Sequence, residues 1–306
     1  MISRRQLLLN SLGAIGAAGG LPASYAFAIE PGWRLRSVHY DLQLDGWSPD
    51  SQMRIVALAD IHAGGTYMPP RRIDEIVATA NKLAPDLTVI LGDIVTTGGV
   101  ADMPFEPHNW APMLGRLAAP LGVHAVLGNH DWLDDAAALE RCAGPVRTRV
   151  ALEEHGIHVL ENDALRLEAR GQAFWLLGLA DQIAFKEACV HEKAGRRGPA
   201  DLASTLAQVT DQQPAILLAH EPDIFPSVPG RVGLTLSGHT HGGQVRVGGW
   251  SPVVPSDYGN RYAYGHVVEA GKSLIVSGGL GTSGLPVRLG VPPEIVVIDV
   301  AGAGRG

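Results

Sequence analysis

Two cysteines are all that this 306-residue chain has, Cys142 and Cys189. Neither sits in a metal-ligand pattern, which argues against a thiolate-bound zinc or iron–sulfur centre. They read as structural or free thiols, and their spacing does not say whether they pair. Positive charge is also short. The 24 Lys and Arg stand against 31 Asp and Glu, for a formal net charge of -7. An acidic balance argues against a general nucleic-acid binder, which needs a basic face. It leaves an anionic substrate open, because bound metal ions reverse a local field. Long apolar runs are few as well: the mildly apolar stretch 7–21 is broken by Asn10, Ser11 and several glycines, which makes it a poor membrane span. Low-complexity tracts, a clear domain linker and tandem repeats are likewise absent.

What is present starts with Ser3-Arg4-Arg5-Gln6-Leu7-Leu8, a twin-arginine pattern, followed by Ala26-Phe27-Ala28, an A-x-A cleavage signal. Residues 1–28 are therefore expected to be an export signal lying outside the fold. Residues 29–306 are expected to form one domain, periplasmic or otherwise exported. An uncleaved amino-terminal anchor is the alternative.

The rest of the chain is organised around Leu127-Gly128-Asn129-His130-Asp131-Trp132. This stretch follows the apolar run Val123-His124-Ala125-Val126-Leu127, which reads as a buried strand. Four more apolar runs end in the same way. Residues 55–59 lead into Asp60-Ile61-His62, and 87–91 into Gly92-Asp93. Residues 215–219 lead into His220, and 232–236 into Ser237-Gly238-His239-Thr240-His241. A helical stripe of Ile73, Ile76, Val77, Ala80 and Leu83 lies between the first two. Residues 95–110 read as a loop, with a short helix near 113–118. Alternation over 35–45 predicts a half-buried strand, and further strands are expected near 157–160, 164–169, 173–179, 273–277 and 294–300. The order strand–helix–strand implies a parallel sheet that delivers polar groups at the carboxyl ends of its strands.

A single His at a strand end is usually a satisfied, partly buried residue. Five clusters, each directly after an apolar run, do not fit that reading. Asp60, His62, Asp93, Asn129, His220, His239 and His241 supply nitrogen and oxygen and no thiolate, which suits Mn, Fe, Zn or Co. Seven candidate ligands exceed the needs of one ion. Two ions sharing a carboxylate would use them, and Asp93 is the natural bridge. Such a pair, about 3.5–4 Å apart, can present a bridging hydroxide to phosphorus. His130 is placed to serve the leaving group, and Asp131 is expected to fix its tautomer.

The set Asp60-x-His62, Gly92-Asp93, Gly128-Asn129-His130-Asp131, His220 and Gly238-His239-x-His241 resembles the calcineurin-like metallophosphoesterases. The resemblance implies a four-layer α/β sandwich, with two mixed central sheets flanked by helices. It also implies one ion on Asp60, His62, Asp93 and His241, and a second on Asp93, Asn129, His220 and His239. The tail, with Gly278 to Ser283 and Pro286-Val287-Arg288, looks like a branch of exported or membrane-associated phosphodiesterases. Some of its members resemble pyrophosphatases that cleave UDP-2,3-diacylglucosamine in lipid A biosynthesis. Export sits awkwardly with a cytosolic UDP-sugar. The loop Gly278 to Ser283 reads equally as a structural turn or as part of the phosphate site. Arg288 reads as a phosphate neutraliser or as the partner of an acid.

The leading expectation is thus a metal-dependent phosphodiesterase or pyrophosphatase acting on a phosphate ester, with a lipid-linked or nucleotide-sugar substrate suggested by the resemblance. A phosphomonoesterase or cyclic-nucleotide phosphodiesterase is the alternative, and a non-catalytic envelope binding protein a further one. The absence of an H-x-H-x-D-H cluster disfavours a metallo-β-lactamase-like hydrolase. A lipid substrate needs an apolar groove, for which Tyr67, Met68, Pro69, Pro70, Met103, Pro104, Phe105 and Trp110 are candidates. A monomer with peripheral membrane contact is expected.

Overall fold

Runs that are apolar on both faces build the centre of two six-stranded sheets. The computed structural model describes residues 23–48, 51–97, 105–185 and 198–302. The strands are β1 (Arg36–Leu44), β2 (Met53–Leu58), β3 (Leu87–Leu91), β4 (Val123–Val126), β5 (His158–Val159) and β6 (Asp163–Ala169). They continue as β7 (Gln172–Gly178), β8 (Ala215–Leu218), β9 (Val232–Ser237), β10 (Gly265–Glu269), β11 (Lys272–Val276) and β12 (Glu294–Gly302). The first sheet runs β1-β12-β2-β3-β4-β5 and the second β10-β11-β9-β8-β7-β6. Both are mixed. β2, β3 and β4 are parallel, as are β7, β8, β9 and β11. β12 runs antiparallel to β2 and parallel to β1.

Alternation along β2 separates the layers. Ile55 and Ala57 face the second sheet, in one core with Leu176, Ile216, Leu218 and Leu234. Val56 and Leu58 face outward, against Ile73, Ile76, Trp110 and Leu152 from the helices Pro70–Lys82, Pro107–Leu114 and Arg147–Glu154. The outer face of the second sheet packs on the helix Leu202–Ala207 through Leu202 and Leu206. Helices therefore cover the outside of two stacked sheets, the expected four layers. Each fully buried Leu or Ile contributes about 1.5–3 kcal/mol to this stack.

Three local features differ from the sequence reading or add to it. The stretch 95–110 is not loop throughout: a helix spans Pro107–Leu114, earlier than the predicted 113–118. Its two prolines mask it in the sequence. Pro107 occupies the first turn, where no N–H is needed, and Pro112 lies inside the helix. Strand β10 is an addition, a half-exposed edge strand with no apolar run to mark it. Finally, helical turns at Tyr25–Ile29 and Glu30–Trp33 precede β1. Ala26 is buried there and its carbonyl accepts the Arg288 N–H at 2.9 Å, so the end of the predicted signal packs on the domain. Residues 1–22, with Arg4 and Arg5, lie outside the described residues.

Candidate metal centre

Because β2, β3 and β4 are parallel, and β8 and β9 likewise, their carboxyl ends meet at one edge of the stacked sheets. All seven candidate ligands are placed there. Asp60, His62, Asp93 and His241 offer donor atoms within 4.8 Å of one another, and so do Asp93, His220 and His239. Asp93 belongs to both groups. One of its oxygens, Oδ2, lies 3.2 Å from His220 Nε2 and 3.7 Å from His62 Nε2. Its other oxygen accepts the His130 backbone N–H at 2.9 Å. Asn129 brings its Oδ1 to the same edge, buried and without a hydrogen-bond partner.

The backbone is bent to achieve this. Asp60, His62, Asp93, His239 and His241 all adopt positive φ, between 49° and 68°. Left-handed backbone costs a non-glycine residue about 1–2 kcal/mol. Five such residues converging on one spot are the signature of a site whose strain is held by the surrounding fold. Gly128 is required for a different reason. A Cβ there would meet Asp93 Oδ1 at 2.3 Å and His220 Nε2 at 2.6 Å.

The donor set fits cations. His220 Nδ1 lies 2.6 Å from the Leu91 carbonyl, which fixes its proton there and leaves Nε2 as a lone pair. Nε2 of His220, Nδ1 of His239, Oδ1 of Asn129 and Oδ2 of Asp60 are all buried without hydrogen-bond partners. The Nε2 atoms of His62 and His241 lie 3.1 Å apart. Burial pushes His62 down to about 3, keeping it neutral and able to ligate, and pushes Asp60 up to about 7. Converging lone pairs of this kind repel one another unless a cation lies among them.

His130 stands outside both groups of donors. It lies in the short helix Asn129–Leu133, so it points away from Asn129 by helical rotation and not by strand alternation. Its Nδ1 lies 2.6 Å from Thr97 Oγ1 and its Nε2 lies 3.4 Å from Ser283 Oγ. Its ring meets the His62 ring edge-on at 4.8 Å. The expected Asp131–His130 pair is not formed. Asp131 Oδ1 accepts the backbone N–H of Ile94 and Val95, and Oδ2 that of Gly128. The helical turn directs this carboxylate back under the β3 and β4 ends, where it ties the two ligand loops together. Thr97 takes the place beside the imidazole. Sequence reading misses it, since one threonine after an apolar run carries no signal.

Arg288 is corrected as well. It is fully buried, and its guanidinium donates to the carbonyls of Gly278, Gly281 and Val291. Its Nη2 also lies 3.3 Å from His241 Nδ1. Burial lowers it to about 10, so it stays charged at neutral pH, but its donors are spent on backbone. The glycine-rich loop is a structural turn that also borders the cluster. Gly281 donates its N–H to the Asp60 carbonyl, while Ser283 reaches His130. The proposed groove residues Met68 and Trp110 are fully buried packing, and Phe105 is half-buried. Met103 and Pro104 lie outside the described residues.

Comparison with known proteins agrees with this geometry. The family model for calcineurin-like phosphoesterases matches residues 53–243. The chain belongs to the calcineurin-like phosphoesterases. As a member of that family it is a metal-dependent phosphoric ester hydrolase. This phosphoesterase is 30% identical to the metallophosphoesterase YkuE of Bacillus subtilis (strain 168), with 98% of each chain covered. It is 28% identical to the phosphodiesterase YaeI of Escherichia coli (strain K12), with 98% of this chain and 100% of that one covered. Among solved structures, a 5'-nucleotidase precursor from Thermus thermophilus aligns with a TM-score of 0.45 at 15% identity. That alignment covers 75% of this chain and 49% of the other.

Proposed function

We propose that this phosphoesterase hydrolyses phosphodiester or pyrophosphate bonds at a dinuclear centre. Asp60, His62, Asp93 and His241 would hold one ion, and Asp93, Asn129, His220 and His239 the other. The observation that carries the reading is Asp93 Oδ2, one oxygen within 3.7 Å of His62 Nε2 and 3.2 Å of His220 Nε2, a histidine from each group of donors. Two bound ions supply a water-derived nucleophile at neutral pH and charge for a phosphoryl oxygen. The chain's own residues do the rest. His130 Nε2 carries a proton toward the leaving oxygen, Thr97 holds Nδ1, and Ser283 offers a hydroxyl beside Nε2. The described side chains favour a monoanionic diester over a dianionic monoester. Arg288, the guanidinium beside the cluster, has no donor left for extra phosphate charge. The name of the relative YaeI points the same way.

The test is a hydrolysis panel on metal-loaded protein. It compares bis-p-nitrophenyl phosphate, p-nitrophenyl phosphate, a cyclic nucleotide and UDP-2,3-diacylglucosamine. The diester is expected to lead the monoester by roughly tenfold or more in kcat/KM. A monoester preference overturns the reading. Turnover of the UDP-lipid decides the lipid-linked extension.

We also infer export through the twin-arginine pathway to the periplasm. Cys142 is disulfide-bonded, which suits an oxidising compartment, and the sequence has one other cysteine, Cys189, outside the described residues. Changing Arg4 and Arg5 together to Lys is expected to hold the protein in the cytoplasm. Periplasmic recovery of that variant on fractionation refutes the twin-arginine route.

A further inference from the structure

Three segments meet at the ligand end of the sheets. Helical residues 25–33 arrive there because Arg36 of β1 pairs in register with Glu294, beside the end of β2. Residues 244–253 follow His241 directly. Residues 283–289 continue the loop that touches Asp60 and His130. Backbone hydrogen bonds stitch the three together: Arg288 N–H to the Ala26 carbonyl, Leu289 N–H to Gln244, and Arg246 N–H to Leu289.

This rim carries several exposed large apolar side chains. Ile29, Trp33, Val247, Trp250, Val253 and Leu285 all stand exposed, Trp33 by 79% and Val253 by 72%. Exposed large apolar groups gathered on one edge mark an interaction surface. Arginines flank it. Arg34 follows Trp33, and Arg71 lines the same hollow as Trp33. The acid in that hollow, Glu75, is paired with Arg72 at 2.8 Å. On the alternative in which the amino terminus stays uncleaved, the apolar stretch 7–21 precedes this rim directly and would bring it to the lipid surface.

We propose that this rim is a membrane-docking face that seats the metal centre at the surface of an anionic phospholipid bilayer. Tryptophan suits the water–lipid boundary, having an apolar body and one polar N–H. The flanking arginines suit anionic headgroups. Docking then places lipid phosphoesters beside the metal centre. The face stands on its own observations, whichever phosphoester is cleaved.

The test uses the full chain with vesicles of phosphatidylethanolamine and phosphatidylglycerol. Trp47, Trp110, Trp132 and Trp175 are buried, so lipid-dependent emission reports on Trp33 and Trp250. Vesicles are expected to shift emission to the blue, and brominated lipids to quench it. Trp33→Ser/Trp250→Ser/Val253→Ser is expected to weaken vesicle sedimentation about tenfold or more. Its turnover of bis-p-nitrophenyl phosphate, a soluble substrate, stays unchanged, which separates this test from that of the hydrolase reading. Sedimentation without any tryptophan response means that the leader alone binds and overturns the proposal. So does failure to sediment, or a blue shift that follows protein concentration without lipid, which would make the face a contact between copies.

Discussion

Asp93→Ala protein, purified without chelator, is expected to retain almost no transition metal where the parent holds nearly two equivalents. The reason is that Asp93 belongs to both groups of donors, its Oδ2 lying near His62 of one and His220 of the other. Removing it also deprives the His130 N–H of its acceptor. Asn129→Ala removes a donor from one half and should weaken one ion only. Activity on any substrate is expected to fall by at least about 10³-fold in Asp93→Ala, since both the nucleophile and charge neutralisation depend on the pair. Elemental analysis of both variants decides the matter. A single equivalent in the parent, with full activity, refutes the dinuclear centre. Equal metal loss in Asp93→Ala and Asn129→Ala refutes the bridging role.

His130→Ala is expected to keep its metal and lose about 10²–10⁴-fold in turnover, the range for an acid–base group. The loss should be largest for alkyl phosphodiesters, whose leaving oxygen needs a proton. It should shrink for p-nitrophenolate, which leaves unaided. Thr97→Val should give a milder form of the same dependence, and Thr97→Ser should restore it, because the serine hydroxyl can also reach Nδ1. Asp131→Asn is expected to behave differently. Its amide nitrogen would face a backbone N–H of Gly128, Ile94 or Val95, donor against donor. That costs about 1–3 kcal/mol of stability, visible in thermal melts, with no dependence on leaving group. Equal losses on both leaving groups in His130→Ala would remove the proton-donor role.

The sequence disclosed some layers of this design better than others. The strands before Asp60, Asp93, Asn129, His220 and His239 were legible because they are buried on both faces and read as unbroken apolar runs. Ligands stood out because each begins where such a run stops. What supports the ligands was not legible. Asp131 adjoins His130 in sequence, but a helical turn carries its carboxylate to backbone groups of another loop. Thr97 reaches His130 from the end of a different strand. Arg288 looked available for phosphate, yet it is sealed among carbonyls contributed by its own loop. In each case the partner is set by tertiary contact, which leaves no local pattern.

The position of β12 bears on when this protein can become an enzyme. It lies second in its sheet, between β1 and β2, yet it is the last strand of the described fold. Arg36 and Glu294, which begin the β1–β12 pairing, are 258 positions apart. Closing such a span costs about 5 kcal/mol of chain entropy before any contact repays it. A ribosome-bound chain lacking residues 294–302 leaves the open edge of β2 unpaired and the loop behind Asp60 without its Glu294 tether. The centre therefore assembles only after synthesis has passed its last strand. Under the proposed twin-arginine route, folding and metal uptake would both fall after β12 has been made and before export.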